Sequence, residues 1–167
     1  TACRPDPVAA LSGTELGTNI DGGAMNIVCL SHLRWNFVFQ RPQHLLSRAA
    51  REGRVLFIEE PLKSADGPPM TVTEEQGVLV CVPRLRANAT EREQIRMLRS
   101  VVSAAVRAHM PHPYVLWLYT PMALPFSRQL RPAAPVYDCM DELSAFAGAP
   151  KILRRREGEL FQKADVV

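Results

Sequence analysis

The chain has 167 residues, of which 47% are apolar and 22% are charged, and its formal net charge at pH 7 is +3. This composition is typical of a globular protein that buries a core of its own. The weak positive charge, without a basic stripe interleaved with aromatic residues, argues against nucleic acid as a partner, and no apolar run approaches the ~20 residues that a membrane-spanning helix needs.

The first 24 residues are rich in Gly, Thr, Pro, Asp and Ala and show no sustained periodicity. Such a composition predicts a flexible leader. Met25 directly precedes the first apolar run and is the expected natural start, so the domain is assigned to residues 25–167. The N-terminus lacks the charged-then-apolar pattern of a signal peptide, and we therefore expect a cytoplasmic protein.

Short apolar runs alternate with segments of helical periodicity from Met25 onward. The runs predict strands at residues 26–30, 54–58, 70–73, 77–82, 114–118 and 134–138, and the third and fourth are expected to form a hairpin. The periodic segments predict helices at residues 41–51, 90–106, 122–130 and 149–163. Residues 164–167 read as the opening of another buried strand, so we expect the chain to stop within its domain.

Residues at the predicted helix ends support these boundaries. Pro42 suits the first turn of the first helix, and Gly53 suits a position just past its end. Thr90 and Glu93 have the spacing of a capping box at the start of the next helix. The sequence Arg154-Arg155-Arg156 in the last helix is followed by acidic residues and is interpreted as a solvated face.

The four cysteines do not indicate a metal site, because none of them forms a CxxC pair. Cys29, Cys81 and Cys139 each lie in or beside an apolar run, and they are predicted to be buried free thiols. None of them is expected to bind a metal ion.

Alternating strands and helices predict an α/β fold, a Rossmann-like and mostly parallel sheet with helices on both faces. Such sheets carry their functional loops at the carboxyl ends of the strands. Three loops are therefore candidates for a site: residues 31–40, 119–122 and 139–147.

The first loop can receive an anion at the start of the following helix. Arg34 and Arg41 can add charge-assisted contacts to a phosphate or carboxylate, and His44 lies in the first helical turn nearby. The loop contains no glycine, which argues against a dinucleotide site and an oxidoreductase. For Trp35, packing and substrate stacking are both open, and for His32 a hydrogen-bonded packing role competes with a role in the site.

The other two loops offer hydroxyl and carboxylate groups. Tyr119 and Thr120 can present hydroxyls to a cleft, or Thr120 can simply start the next helical turn. Asp138, Asp141 and Glu142 follow a strand, where a carboxylate can orient a sugar hydroxyl or act as a base. Asp141 can equally cap a short helix over residues 142–146.

Three long segments carry a resemblance to a known family. They are CLSHLRWNFVFQRPQHL from Cys29, VLWLYTPMALP from Val115 and VYDCMDELSAF from Val136. Together they resemble the N-terminal domain of bacterial glycosyltransferases with the GT-B architecture, similar to family-one-like enzymes related to teichuronic acid biosynthesis. The resemblance covers residues 25–167.

The resemblance implies a two-domain enzyme, of which this chain is the N-terminal, acceptor-side half, incomplete at its C-terminus. A second Rossmann-like domain would bind most of a nucleotide-diphosphate sugar, which is a co-substrate. The resemblance implies no bound metal and no resident cofactor. The acceptor would be a glycan or a lipid-linked sugar of the cell envelope, and a lipid-linked acceptor implies peripheral contact at the inner face of the membrane. Transfer by this chain alone is not expected.

Loop position and resemblance together assign roles to the candidate residues. Asp141 or Glu142 would orient the acceptor hydroxyl as the catalytic carboxylate, and Arg34 and Arg41 would stabilise the leaving charge. The remaining substrate contacts would come from His32, Trp35, His44, Tyr119, Thr120 and Asp138. The alternative is a non-catalytic binding module that retains only an acceptor or phosphate pocket.

Overall fold

The computed structural model describes residues 24–64 and 66–167. Apart from Ala24, the predicted leader lies outside the described residues. The remainder forms a seven-stranded sheet flanked by helices. Among the described residues, no helix combines the length and the apolar character that crossing a membrane requires.

The elements follow the predicted order. The strands are Asn26–Leu30 (β1), Val55–Ile58 (β2), Leu62–Lys63 (β3), Met70–Glu75 (β4), Val78–Leu85 (β5), Tyr114–Leu118 (β6) and Ala134–Tyr137 (β7). The α-helices are Arg41–Ala49 (α1), Glu91–His109 (α2), Leu124–Ser127 (α3) and Ile152–Lys163 (α4), and 3-10 turns cover Pro121–Ala123 and Leu143–Ala145.

The sheet is mostly parallel, which confirms the predicted α/β fold class. Its hydrogen-bonded path runs β3-β5-β2-β1-β6-β7, and β4 pairs with β5. All of these pairings are parallel except β4 with β5, which is the predicted hairpin. Because the parallel strands point the same way, their carboxyl ends meet at one edge of the sheet.

Two apolar clusters cover the two faces of the sheet. Alternate side chains of β1 and β2, Val28 and Leu56 among them, pack with α2, α3 and α4 on one face. On the other face, Ile27 and Phe57 pack with Leu46 of α1. The strands are thus buried on both sides, as parallel strands between helical layers usually are.

Several local predictions need correction. The helix predicted at 122–130 is instead a 3-10 turn followed by the four-residue α3, with Pro121 and Pro125 in their first turns. The short β3 was not predicted. Cys29 and Cys81 are buried as predicted, but Cys139 is exposed because it lies past the end of β7. Val166 pairs in parallel with Val136 through an isolated bridge, as expected for residues 164–167, but Val166 and Val167 are exposed, so the expected burial of this strand is wrong.

Gly53 is required for a reason that its position after α1 does not reveal. A Cβ at this residue would overlap the backbone of Met25, whose carbonyl carbon would lie 2.7 Å away. The turn after α1 therefore packs directly on the chain that enters β1. Gly158, inside α4, has no atom within 4 Å of a built Cβ.

Replacing each of these glycines with alanine should have opposite effects. Gly53→Ala is expected to lower the free energy of unfolding by about 1–3 kcal/mol, because overpacking forces the backbone to move. Gly158→Ala, the matched control, is expected to raise it by about 1 kcal/mol through helix propensity. Urea unfolding at neutral pH measures both changes, and equal stability of the two variants would contradict this packing.

Candidate functional site

A cavity of about 320 Å³ lies at the carboxyl edge of the sheet. Its floor is formed by the last residues of β1, β2 and β5, and its walls by the start of α2 and by the segment from Thr120 to Phe126. The lining residues at the sheet edge include Leu30, Ser31, His32, Ile58, Glu59, Glu60, Leu85 and Thr120. Two of the three predicted loops therefore meet in one cavity.

The first loop is fixed by a buried carboxylate at the end of β2. Glu59 Oε1 accepts a hydrogen bond from the backbone N–H of Trp35 at 2.8 Å, and Glu59 Oε2 lies 2.9 Å from Arg34 Nη1. Arg34 also donates to the carbonyl oxygen of Glu60. A buried carboxylate is stable only when it is paired in this way, so Arg34 is committed to holding the loop.

Gln43 of α1 holds the same loop from the other side. Its Nε2 donates to the carbonyl oxygens of Trp35 at 2.6 Å and Val38 at 3.0 Å, and its Oε1 accepts from the N–H of Gln40 at 3.0 Å. The side-chain amide of Gln43 thus satisfies three backbone groups of the loop.

Trp35 is a core residue. It is 4% exposed, and its ring meets that of Phe57 edge-on, with the ring centres 5.0 Å apart. Of the two roles left open by the sequence, packing is the one this position supports. The exposed aromatic residues of the loop are Phe37 and Phe39, and Phe39 stands edge-on to the exposed His44 at 4.5 Å.

An ion pair joins the residue that follows the first loop to the residue that precedes the third. Arg41 Nε lies 3.2 Å from Asp138 Oδ2, and the carboxylate is buried whereas the Arg41 side chain is 60% exposed. This contact places the start of α1 beside the end of β7. The third loop, which contains Asp141, therefore begins at the same edge as Arg41.

Tyr119 is buried behind this ion pair. Burial is the main cause that raises the pKa of its hydroxyl, and the nearby Cys29 and Asp138 raise it further. Burial, followed by the charge of Asp138, likewise raises the pKa of the Cys29 thiol well above its usual value. Both groups stay protonated at neutral pH, so neither is a nucleophile or base there.

His32 lines the cavity as a neutral imidazole at pH 7. Burial lowers its pKa below the usual 6.5, and this outweighs the backbone of Tyr119 and the charges of Glu60 and Asp141, which act in the opposite direction. Neutral histidine can both donate and accept a hydrogen bond.

Thr120 combines both of the roles considered for it. Its Oγ1 accepts a hydrogen bond from the N–H of Met122 at 3.2 Å and so caps the 3-10 turn that follows. The residue also lines the cavity. The hydrogen bond that caps this turn thus fixes the position of the Thr120 hydroxyl at the cavity.

The predicted catalytic carboxylates lie outside the cavity wall. Asp141 and Glu142 are exposed, and neither is among the residues that line the cavity. The proposed helix cap at Asp141 is wrong. Glu142 precedes the 3-10 turn Leu143–Ala145, which has no side-chain cap, and it is the carbonyl oxygen of Asp141 that accepts a hydrogen bond from Leu143.

Arg156 is a cavity residue that the sequence analysis misassigned to a solvated face. It is 8% exposed; its Nη2 lies 2.9 Å from Glu91 Oε1 at the start of α2, and its Nη1 lies 3.2 Å from Met122 Sδ. A signal existed, because Leu153, Arg156 and Leu160 are the buried stripe of α4 at helical spacing. Arg154 and Arg155 are exposed as predicted.

No group of three or more His, Cys, Asp or Glu side chains in residues 24–64 and 66–167 is arranged to hold a metal ion. The donors at the cavity are instead spread over separate elements, and the carboxylates Glu59 and Glu91 are already paired with arginines.

Comparison with known proteins adds little to this geometry. No family model matches the chain, and no curated protein matches it. One solved structure, described as trehalose-6-phosphate from E. coli bound with UDP-2-fluoro glucose, is similar with a TM-score of 0.41 and 7% identity over 67% of this chain. The match covers 32% of that protein, so the chain spans about a third of its length. A match this weak assigns neither a family nor a function.

Substituting His32 should change how stability depends on pH. Because burial lowers the pKa of His32, the unfolded chain binds a proton more readily than the folded chain. The free energy of unfolding should therefore fall as the pH is lowered from 7 through 6.5 towards 5.5, and His32→Asn should fall less steeply. Urea unfolding across this range measures the slope. The exposed His44 is the matched control, and an equal reduction in slope for His44→Asn would contradict the account.

The three consecutive arginines of α4 should differ in their contribution to stability. Arg156→Ala removes a buried guanidinium and its hydrogen bond to a carboxylate, and it is expected to cost about 1–3 kcal/mol. Arg155→Ala, on the exposed face, is expected to stay within about 0.5 kcal/mol of the parent. Thermal and urea unfolding measure both, and a tolerated Arg156→Ala would show that the Arg156–Glu91 contact is not formed.

Proposed function

We propose that this chain is the acceptor-side domain of a glycosyltransferase with the GT-B architecture. The enzyme would transfer a sugar from a nucleotide-diphosphate sugar to a glycan or lipid-linked acceptor, in the synthesis of a cell-envelope polysaccharide. The observation that carries the proposal is the cavity at the carboxyl edge. Two of the three segments that resemble such enzymes line it, through His32 and Thr120, and the third is joined to the same edge by the Arg41–Asp138 ion pair.

The chemistry of the edge suits the acceptor step. Sugar transfer requires that the nucleophilic hydroxyl be positioned and that charge on the leaving group be stabilised. His32 and Thr120 offer hydrogen-bonding groups inside the cavity. Arg41, the first residue of α1, keeps most of its side chain accessible while its partner Asp138 is buried, so it can approach an anion. In the proposal Arg34 acts indirectly, by holding the loop.

Most of the donor would bind to a second Rossmann-like domain, since the described residues form a single sheet. The nucleotide sugar is a co-substrate in this proposal, and no resident cofactor or metal is invoked. Contact with the inner face of the membrane would follow from a lipid-linked acceptor.

A non-catalytic binding module is the second candidate, and one observation favours it. The two carboxylates proposed as catalytic are exposed outside the cavity, whereas the groups inside it are suited to binding. A protein that only recognises a glycan would use the same cavity without needing Asp141 or Glu142.

Turnover of the natural gene product that contains this chain distinguishes these candidates. Asp141→Asn/Glu142→Gln should lower the rate of sugar transfer by at least about 100-fold, as expected for loss of an acid–base group, while acceptor binding is retained. Glu52→Gln/Glu74→Gln, at two exposed carboxylates outside the cavity, is the matched control and should leave the rate unchanged. Radiolabelled nucleotide sugars and a panel of acceptors provide the assay.

Two results would count against the proposal in different ways. Transfer at the parental rate in the Asp141/Glu142 double variant would reject the catalytic role of these carboxylates. Binding of an acceptor without transfer from any nucleotide sugar would reject the enzyme and support the binding module.

A further inference from the structure

We infer that the cavity at the carboxyl edge accepts an uncharged, hydroxyl-bearing ligand, such as a neutral sugar unit, in preference to a phosphorylated or uronic sugar. This inference rests on the proposed function and specifies the chemical class of its acceptor. It is drawn from the balance of charges around the cavity, which the resemblance to known enzymes does not address.

The buried charges of the cavity are already neutralised by protein groups. Glu59 is paired at 2.9 Å with Arg34, which lies just outside the cavity. Arg156 of α4 is paired at 2.9 Å with Glu91 at the start of α2. A ligand charge of either sign would therefore compete with an existing partner.

The other ionisable groups of the lining do not shift this balance. Glu60 and Lys63 have opposite charges, and both are exposed at the mouth. His32 is neutral at pH 7 because its burial disfavours the proton. Three carboxylates at the cavity are thus matched in number by three cations when Arg34 is included. Of these cations in the described residues, Lys63 forms no ion pair, and its charge is exposed, where solvent and salt screen its attraction for a phosphate or carboxylate.

The shape of the lining suits a small ligand with an apolar face and hydroxyl groups. The walls are largely apolar and include Ile58, Ile95, Leu98 and Phe126. A volume of about 320 Å³ is at the small end for ligand sites, which typically have such walls and a few placed polar groups. His32 and Thr120, together with Ser31 and Gln94, are the uncharged polar residues of the described lining that can form hydrogen bonds to hydroxyls. A pyranose ring, with carbon-bound hydrogens on one face and hydroxyls at its rim, has this character.

An anionic sugar would instead meet the three carboxylates, and the unpaired cation of the described lining, Lys63, is exposed and screened by solvent. Removing the charge of Glu91 should change this, because Arg156 would lose its partner while staying buried at the cavity. Glu91 is mostly exposed at the first position of α2, so Glu91→Gln should fold. The substitution therefore tests whether the predicted preference against anionic sugars depends on the pairing of Arg156 with Glu91.

Isoleucine methyl spectra provide a direct assay. Ile58 and Ile95 line the cavity, and Ile27 lies on the opposite face of the sheet and serves as an internal control. The chain is titrated with methyl glucoside, glucuronate and glucose 6-phosphate, and with the corresponding galactose compounds. We expect the neutral glycosides to shift Ile58 and Ile95 but not Ile27, and the anionic sugars to bind at least about tenfold more weakly.

In Glu91→Gln the affinity for the anionic sugars should rise by about tenfold, with little change for the neutral ones. Glu74→Gln removes an exposed carboxylate outside the cavity, and this matched control should leave all affinities unchanged. An equal gain in both variants would show that net charge alone is responsible, and it would overturn the inference.

Failure of the inference differs from failure of the proposed function. If anionic sugars bind the parent as well as or better than neutral ones, the inference is wrong and an acceptor site stands. If no sugar shifts Ile58 or Ile95 in the folded chain, the inference is also wrong, and the transfer assay then decides the proposed function separately.

Discussion

A single buried carboxylate fixes the geometry on which the site depends. Glu59 ends β2, and its two oxygens are taken up by the N–H of Trp35 and the guanidinium of Arg34. These contacts hold the loop after β1 against the end of the neighbouring strand. Because the loop is held from within the protein, the cavity beside it is formed without a ligand, and the cost of ordering the loop is met during folding rather than binding.

The same edge divides into two environments on opposite faces of the sheet. On the α1 face, Arg41 and Asp138 join two loops above the buried Tyr119. On the other face, the cavity is closed by α2 and by Arg156 of α4. The first environment is stabilised by an ion pair that remains accessible from solvent, whereas the second combines apolar walls with compensated charges. In the proposed function the cavity recognises the acceptor ring, and Arg41 on the α1 face is where an anion can approach.

The fold was predictable because apolar residues recur at different spacings in its strands and helices, and because capping and turn residues mark where these elements end. The Thr90–Glu93 capping box forms as predicted, with Glu93 Oε2 accepting from the N–H of Thr90 at 2.9 Å. The position of His32, Thr120, Arg41 and Asp138 at one edge also followed from the rule that the loops after parallel strands meet at the carboxyl ends of those strands. The role of Trp35 was not decided by sequence, since an aromatic residue in a loop packs or stacks according to tertiary contacts. Arg156 was misassigned because it was interpreted together with the adjacent Arg154 and Arg155, and not by its helical spacing from Leu153 and Leu160.

Protection of the Trp35 amide from hydrogen exchange tests the central claim most directly. If the Glu59 carboxylate accepts this N–H as described, the amide should exchange as slowly as those of β1, although it lies in a loop. Exchange of the Trp35 amide at the rate of an unstructured chain, while the β1 amides stay protected, would contradict the account, because the loop would then not be held and the cavity would not be preformed.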